Sequence, residues 1–140
     1  MRLYLDSADE AAVCDLLGVG IFTGVTTNPT LMEQSGLRYE QVPSFYAAVV
    51  DAGAAEVFFQ AAGGTSAAFE AHGRELAAVG ARVVVKVPAT RAGLSAAAQL
   101  AGSGVAVLVT AVYTVAQAVA AGRLGDRSTA PAAGRLTGAG

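Results

Sequence analysis

Short apolar runs rich in β-branched residues recur along this chain with starts about 20 to 35 residues apart, and a helical pattern follows each. No other feature restricts the fold as strongly. The runs are Leu3–Leu5, Phe22–Val25, Val57–Gln60, Val83–Val87 and Val105–Val109, with a weaker one around Ser128–Pro131. They are apolar on both alternating faces, as strands of a parallel sheet buried beneath helices must be. Helix boundaries are also readable. Ser7 and Glu10 have capping-box spacing before Ala11–Leu17, and Asn28-Pro29 offers an N-cap followed by proline at the first helical position. Gly18, Gly53, Gly80 and Gly104 fit helix stops or tight turns, and alanine-rich helices are expected at Thr65–Val79 and Ala92–Ala101. With 140 residues, 54% hydrophobic and 14% charged, the chain has the apolar material for one compact domain, 1–140.

Two architectures satisfy such a repeat, an open doubly wound sheet and a (β/α)8 barrel. No G-x-G-x-x-G follows the first strand, so a dinucleotide fold has no support. Polar residues decide the matter: Asp6, Thr26, Asn28, Gln60, Lys86 and Thr110 lie at or just past the C-terminal ends of five strands, where barrel enzymes carry their chemistry. The fold class read from the sequence is therefore α/β, a (β/α)8 barrel. A full barrel needs roughly 200 residues or more, so five βα units and a sixth strand, an incomplete barrel, are expected.

Lys86 is the chain's only lysine; every other one of its nine basic residues is an arginine. It lies inside Val83-Val84-Val85-Lys86-Val87-Pro88, where burial penalises a charge. A lysine so placed can do what arginine cannot, which is to lose its proton and add to a carbonyl as a Schiff base. Asp6 can serve as the acid/base partner, and Gln60 and Thr110 can hold a bridging water. Each has a duller reading as well. A lysine near a strand end can lift its ammonium to solvent, Asp6, Thr26 and Asn28 can cap helices, and a buried Gln or Thr can satisfy backbone groups.

Bulk charge excludes other classes. A net charge of −2, a pI near 5.2 and scattered arginines give no case for nucleic acid or an anionic membrane. No apolar run approaches the roughly 20 residues of a membrane span, and Met1-Arg2 leads straight to a strand containing Asp6, so a cytoplasmic protein is expected. Cys14 stands alone among Ala11, Val13 and Leu17, a structural, buried helix position; His72 reads as a helix-surface residue with no companions for a metal.

Four segments together, Leu3-Tyr4-Leu5-Asp6, Gly24-Val25-Thr26-Thr27-Asn28-Pro29, Val84-Val85-Lys86-Val87-Pro88 and Thr110-Ala111-Val112-Tyr113, resemble the fructose-6-phosphate aldolase and small transaldolase family in order and spacing. The resemblance runs from Met1 to about Gly140. It implies a Schiff base on Lys86, acid/base work by Asp6 with Gln60 and Thr110, a substrate lining that includes Thr26 and Asn28, and phosphate binding by Arg135. It implies no metal and no organic cofactor. Glutamine at position 60 is aldolase-like, where transaldolases of the family usually carry glutamate. The implied reaction is reversible aldol cleavage of fructose 6-phosphate to dihydroxyacetone and glyceraldehyde 3-phosphate, with transaldolase transfer of a dihydroxyacetone unit as the alternative. Two departures stand out. Ala132 falls where the aldolases have a tyrosine, and the sequence stops after the loop that follows the sixth strand. On that count the chain reads as a truncated product, a half-barrel completed by another chain, or an inactive remnant. Open sheet edges lead to the expectation of a homo-oligomer or a completing partner.

Overall fold

The computed structural model describes residues 1–110. The expected sixth strand at 128–131 lies outside them, as do Ala132 and Arg135. Five strands, β1 (Tyr4–Asp6), β2 (Gly24–Thr26), β3 (Glu56–Gln60), β4 (Val83–Pro88) and β5 (Val107–Thr110), run in the sheet order β1-β2-β3-β4-β5. Between them come α1 (Glu10–Leu17), α2 (Pro29–Gln34), a 3-10 turn (Tyr39–Gln41), α3 (Val42–Asp51), α4 (Ser66–Ala77) and α5 (Arg91–Gly102). The topology is that of an unclosed (β/α) barrel of about five units, as the repeat predicts. The residues group into two compact units.

The first unit holds Met1–Gln60 and Glu75–Val84. Its strands β1, β2 and β3 pair in parallel, with Leu5, Val25 and Val57 as partners in register. Val25 and Val57 face the helical side, and both are fully buried with Phe45 and Val49 of α3 and Val13 and Leu17 of α1. Phe45 and Phe59 meet edge to face at 6.2 Å between ring centroids, a geometry favoured by the aromatic quadrupole.

The second unit comprises, among the described residues, Ala61–Arg74 and 85–110. Here β4 and β5 pair in parallel, Val85 opposite Val107 and Val87 opposite Val109, all four buried with Ala96, Ala97 and Leu100 of α5. Gly73 of α4 brings this core together. A Cβ there would stand 2.7 Å from Leu100 Cδ1, so the helix approaches because it has no side chain at that point.

Several local expectations need correction. The N-cap of α1 is Asp9, whose carboxylate accepts from the Ala12 N–H at 3.1 Å; Ser7, two residues upstream, instead accepts from the Asp9 N–H at 3.1 Å. Cys14 is half-buried, since Val13 and Leu17 take the core stripe of that helix. His72 is no plain surface residue: its Nδ1 accepts the Ala62 N–H at 2.8 Å, tying α4 to the loop after β3. Asn28 caps α2 as the dipeptide predicts, accepting from the Leu31 N–H at 2.9 Å.

Candidate functional site

Strand alternation sorts the chemistry from the core. On β1 and β2, Asp6 and Thr26 are Cα partners, and Phe58 of β3 continues the row. Side chains in such a row leave one face of the sheet, the face opposite Val25 and Val57. Gln60 lies two residues beyond Phe58 and so on that face again, half-buried. Asp6, Thr26 and Gln60 are the last residues of their strands. The Thr26 hydroxyl donates to Asp6 Oδ1 at 2.5 Å, and Asp6 is exposed. Asn28, with its side-chain oxygen committed to the cap, keeps its amide N–H groups as donors.

One row below stands a group that the sequence does not announce. Tyr4, Gly24 and Glu56 are register partners; the Tyr4 hydroxyl donates to the Glu56 carboxylate, and Arg2 pairs with the same carboxylate at 3.7 Å. The Tyr4 ring stands edge-on to Phe58 at 5.3 Å. Burial, and then the hydrogen bond to Glu56, push the Tyr4 phenol above its ordinary value, with Arg2 opposing. The signal for this group is weak, because Tyr4 and Glu56 lie far apart in sequence and meet only through the strand register.

In the second unit Lys86 sits on β4 between Val85 and Val87, which are 0% exposed, and is itself half-buried. Alternation puts it on the other face from those valines. Its register partner on β5 is Leu108, and its carbonyl accepts the Ala61 N–H at 2.9 Å. Thr110 ends β5 opposite Pro88; its hydroxyl lies 3.3 Å from the Val87 carbonyl, to which it donates, and its carbonyl accepts the Ala89 N–H at 2.8 Å. With its proton so directed, that hydroxyl keeps lone pairs for accepting. Within each unit, then, the expected strand residues share the face turned away from the helices. Arg135 lies outside the described residues.

The first unit offers a carboxylate with a hydroxyl fixed to it and an amide, and the second offers an amine and a hydroxyl. Among the described residues no group of three His, Cys, Asp or Glu gathers in a way that would hold a metal ion. The sequence model of a known family, Transaldolase/Fructose-6-phosphate aldolase, matches residues 3–140. The chain belongs to this transaldolase/fructose-6-phosphate aldolase family. Among its relatives is a probable transaldolase of Caulobacter sp. (strain K31), 40% identical over 136 residues, 97% of this chain and 61% of that protein. Similar proteins described in the same words occur in Phenylobacterium zucineum (strain HLK1), 38% identical over 97% of this chain and 61% of the relative, and in Streptococcus agalactiae serotype V (strain ATCC BAA-611 / 2603 V/R), 36% identical over 97% and 62%. The chain thus spans about three fifths of the length of these relatives. Membership puts it in an aldolase- and transaldolase-like enzyme family of carbohydrate metabolism. No helix of the described residues is long and apolar enough to cross a membrane.

Proposed function

We propose that the protein is a class I aldolase that forms a Schiff base through Lys86 and reversibly cleaves fructose 6-phosphate to dihydroxyacetone and glyceraldehyde 3-phosphate. The observation that carries this reading is the placement of the chain's single lysine on the β4 face opposite two fully buried valines, within a family of aldolases and transaldolases. The Lys86 amine adds to the ketone and forms a carbinolamine, whose hydroxyl leaves as water when it takes a proton. The resulting iminium at C2 draws electrons from the C3–C4 bond. Asp6 accepts the proton of the C4 hydroxyl as that bond breaks, releasing the aldehyde and leaving an enamine. Protonation of the enamine and hydrolysis of the imine return dihydroxyacetone and free lysine. Gln60 and Thr110 hold the water that carries protons, Asn28 donates to substrate hydroxyls, and Arg135 takes the phosphate through its planar fork.

A transaldolase reaction is the second reading, favoured by the description of the relatives as probable transaldolases. It shares the lysine chemistry and differs in its acceptor: the enamine is passed to erythrose 4-phosphate instead of being protonated. Gln60 favours the aldolase because a neutral amide cannot supply the carboxyl that the family's transaldolases usually carry there. We place the protein in the cytoplasm, with a homo-oligomer or a second chain as its assembly; a compact monomer in sedimentation would refute that assembly.

The test is borohydride trapping with dihydroxyacetone or fructose 6-phosphate, followed by intact mass and peptide mapping. Only Lys86 and the N-terminal amine can form the reduced adduct. An adduct at Lys86 that disappears in Lys86→Met is expected. Its absence from folded protein would leave an inactive relative of the enzymes. Release of dihydroxyacetone without acceptor identifies the aldolase, and turnover only with erythrose 4-phosphate identifies the transaldolase.

A further inference from the structure

Thr26 is held at both of its ends in the sheet. Its carbonyl accepts the Ser7 N–H at 3.1 Å, and the next residue, fully buried Thr27, donates both its N–H (3.0 Å) and its hydroxyl (2.9 Å) to the Phe58 carbonyl. A β-branched side chain on a backbone so fixed has little freedom at χ1. Its register neighbours on the shared face are Asp6 on one side and Phe58 on the other. The phenyl ring offers no oxygen, and the hydroxyl's one proton goes to Asp6 Oδ1 at 2.5 Å. The grip is therefore double: Thr26 holds the residue after Asp6 through its backbone and the Asp6 carboxylate through its side chain.

We propose that Thr26 is a positioning residue for Asp6, its hydroxyl fixing the orientation of the carboxylate. The bond to Oδ1 leaves Oδ2 as the oxygen that exchanges protons. When Oδ2 takes a proton, Oδ1 becomes the carbonyl oxygen of a carboxylic acid and still accepts from Thr26. The carboxyl group thus keeps one orientation through both halves of a proton relay, and an acid/base group gains rate from holding that orientation. The catalytic consequence rests on the Schiff-base reading; the orientation of Asp6 does not.

The experiment compares wild type, Thr26→Val and Thr26→Ser by two readouts. In labelled protein without substrate, three-bond couplings across the Asp6 χ1 torsion are expected to report one rotamer in wild type and Thr26→Ser, and averaging in Thr26→Val. In fructose 6-phosphate cleavage, Thr26→Val is expected to lower kcat about 10- to 100-fold, the range for a lost hydrogen bond to a charged group, with KM within about twofold, and serine to restore most of it. Thr26→Ala removes the same donor with less bulk and gives the same result should the valine variant fold poorly. A single Asp6 rotamer retained without the donor overturns the proposal, as does a loss that falls on KM with kcat intact. If the wild type neither cleaves the sugar nor traps at Lys86, the Schiff-base reading fails, while the couplings still decide whether Thr26 holds Asp6.

Discussion

Gly24 stands between Tyr4 and Glu56 in the register of the first three strands, and a residue without a side chain there lets the phenol reach the carboxylate across β2. A Cβ at that position would lie 2.0 Å from the Glu56 carbonyl oxygen, a backbone atom that cannot rotate away. Gly24→Ala should therefore separate β2 from β3. The expected loss is about 1–3 kcal/mol of unfolding free energy, the usual range for overpacking, measured by urea denaturation. A variant as stable as wild type would refute the close approach. Single residues differed in how far the sequence revealed them. Lys86 is legible because it is unique and lies in an apolar run. The bond from Thr26 to Asp6 is not, since it joins side chains 20 positions apart that only pairing makes neighbours.

Elements were easier to place than their ends. Each expected strand from β1 to β5 is present, and β1, β2, β4 and β5 end one residue beyond their expected runs; at Asp6, Thr26 and Thr110 the backbone groups continue the ladder whatever the polarity of the side chain. Helix α3 carries no plain start signal in the sequence. Pro43 in its first turn and the 3-10 turn before it look like a break, although proline is well tolerated where backbone N–H groups have no helical partner. The start of α1 was displaced because Ser7 and Glu10 have capping spacing while Asp9, between them, does the capping. A direct comparison follows from that difference. Asp9→Ala should cost about 1 kcal/mol by thermal or urea unfolding, the ordinary value of an N-cap, and Ser7→Ala less than half as much. The reverse order would restore Ser7 as the cap.

At the scale of the whole molecule the βα repeat carried the architecture, because alternation between buried strands and helices leaves few topologies. It carried nothing about the Tyr4, Glu56 and Arg2 cluster, which ties β1 to β3 and makes global stability depend on pH. The sign follows from the Tyr4 phenol, raised by burial first and by its bond to Glu56 second. The folded state then holds the phenolic proton more tightly than the unfolded chain, in which a tyrosine titrates near pH 10. The resulting stabilisation is fully present below about pH 10 and is lost as pH rises through the higher folded value, because the phenolate cannot donate to a carboxylate. Tyr4→Phe keeps the ring for its edge-on contact with Phe58 and removes only the hydroxyl. It should therefore cost about 1 kcal/mol at pH 7, as one lost hydrogen bond does. It should also flatten the decline of unfolding free energy as pH rises above about 10, followed by urea titration at each pH. An equally steep decline in the variant would show that groups other than Tyr4 set the alkaline limit, and an unchanged stability at pH 7 would show that the bond to Glu56 contributes nothing in solution.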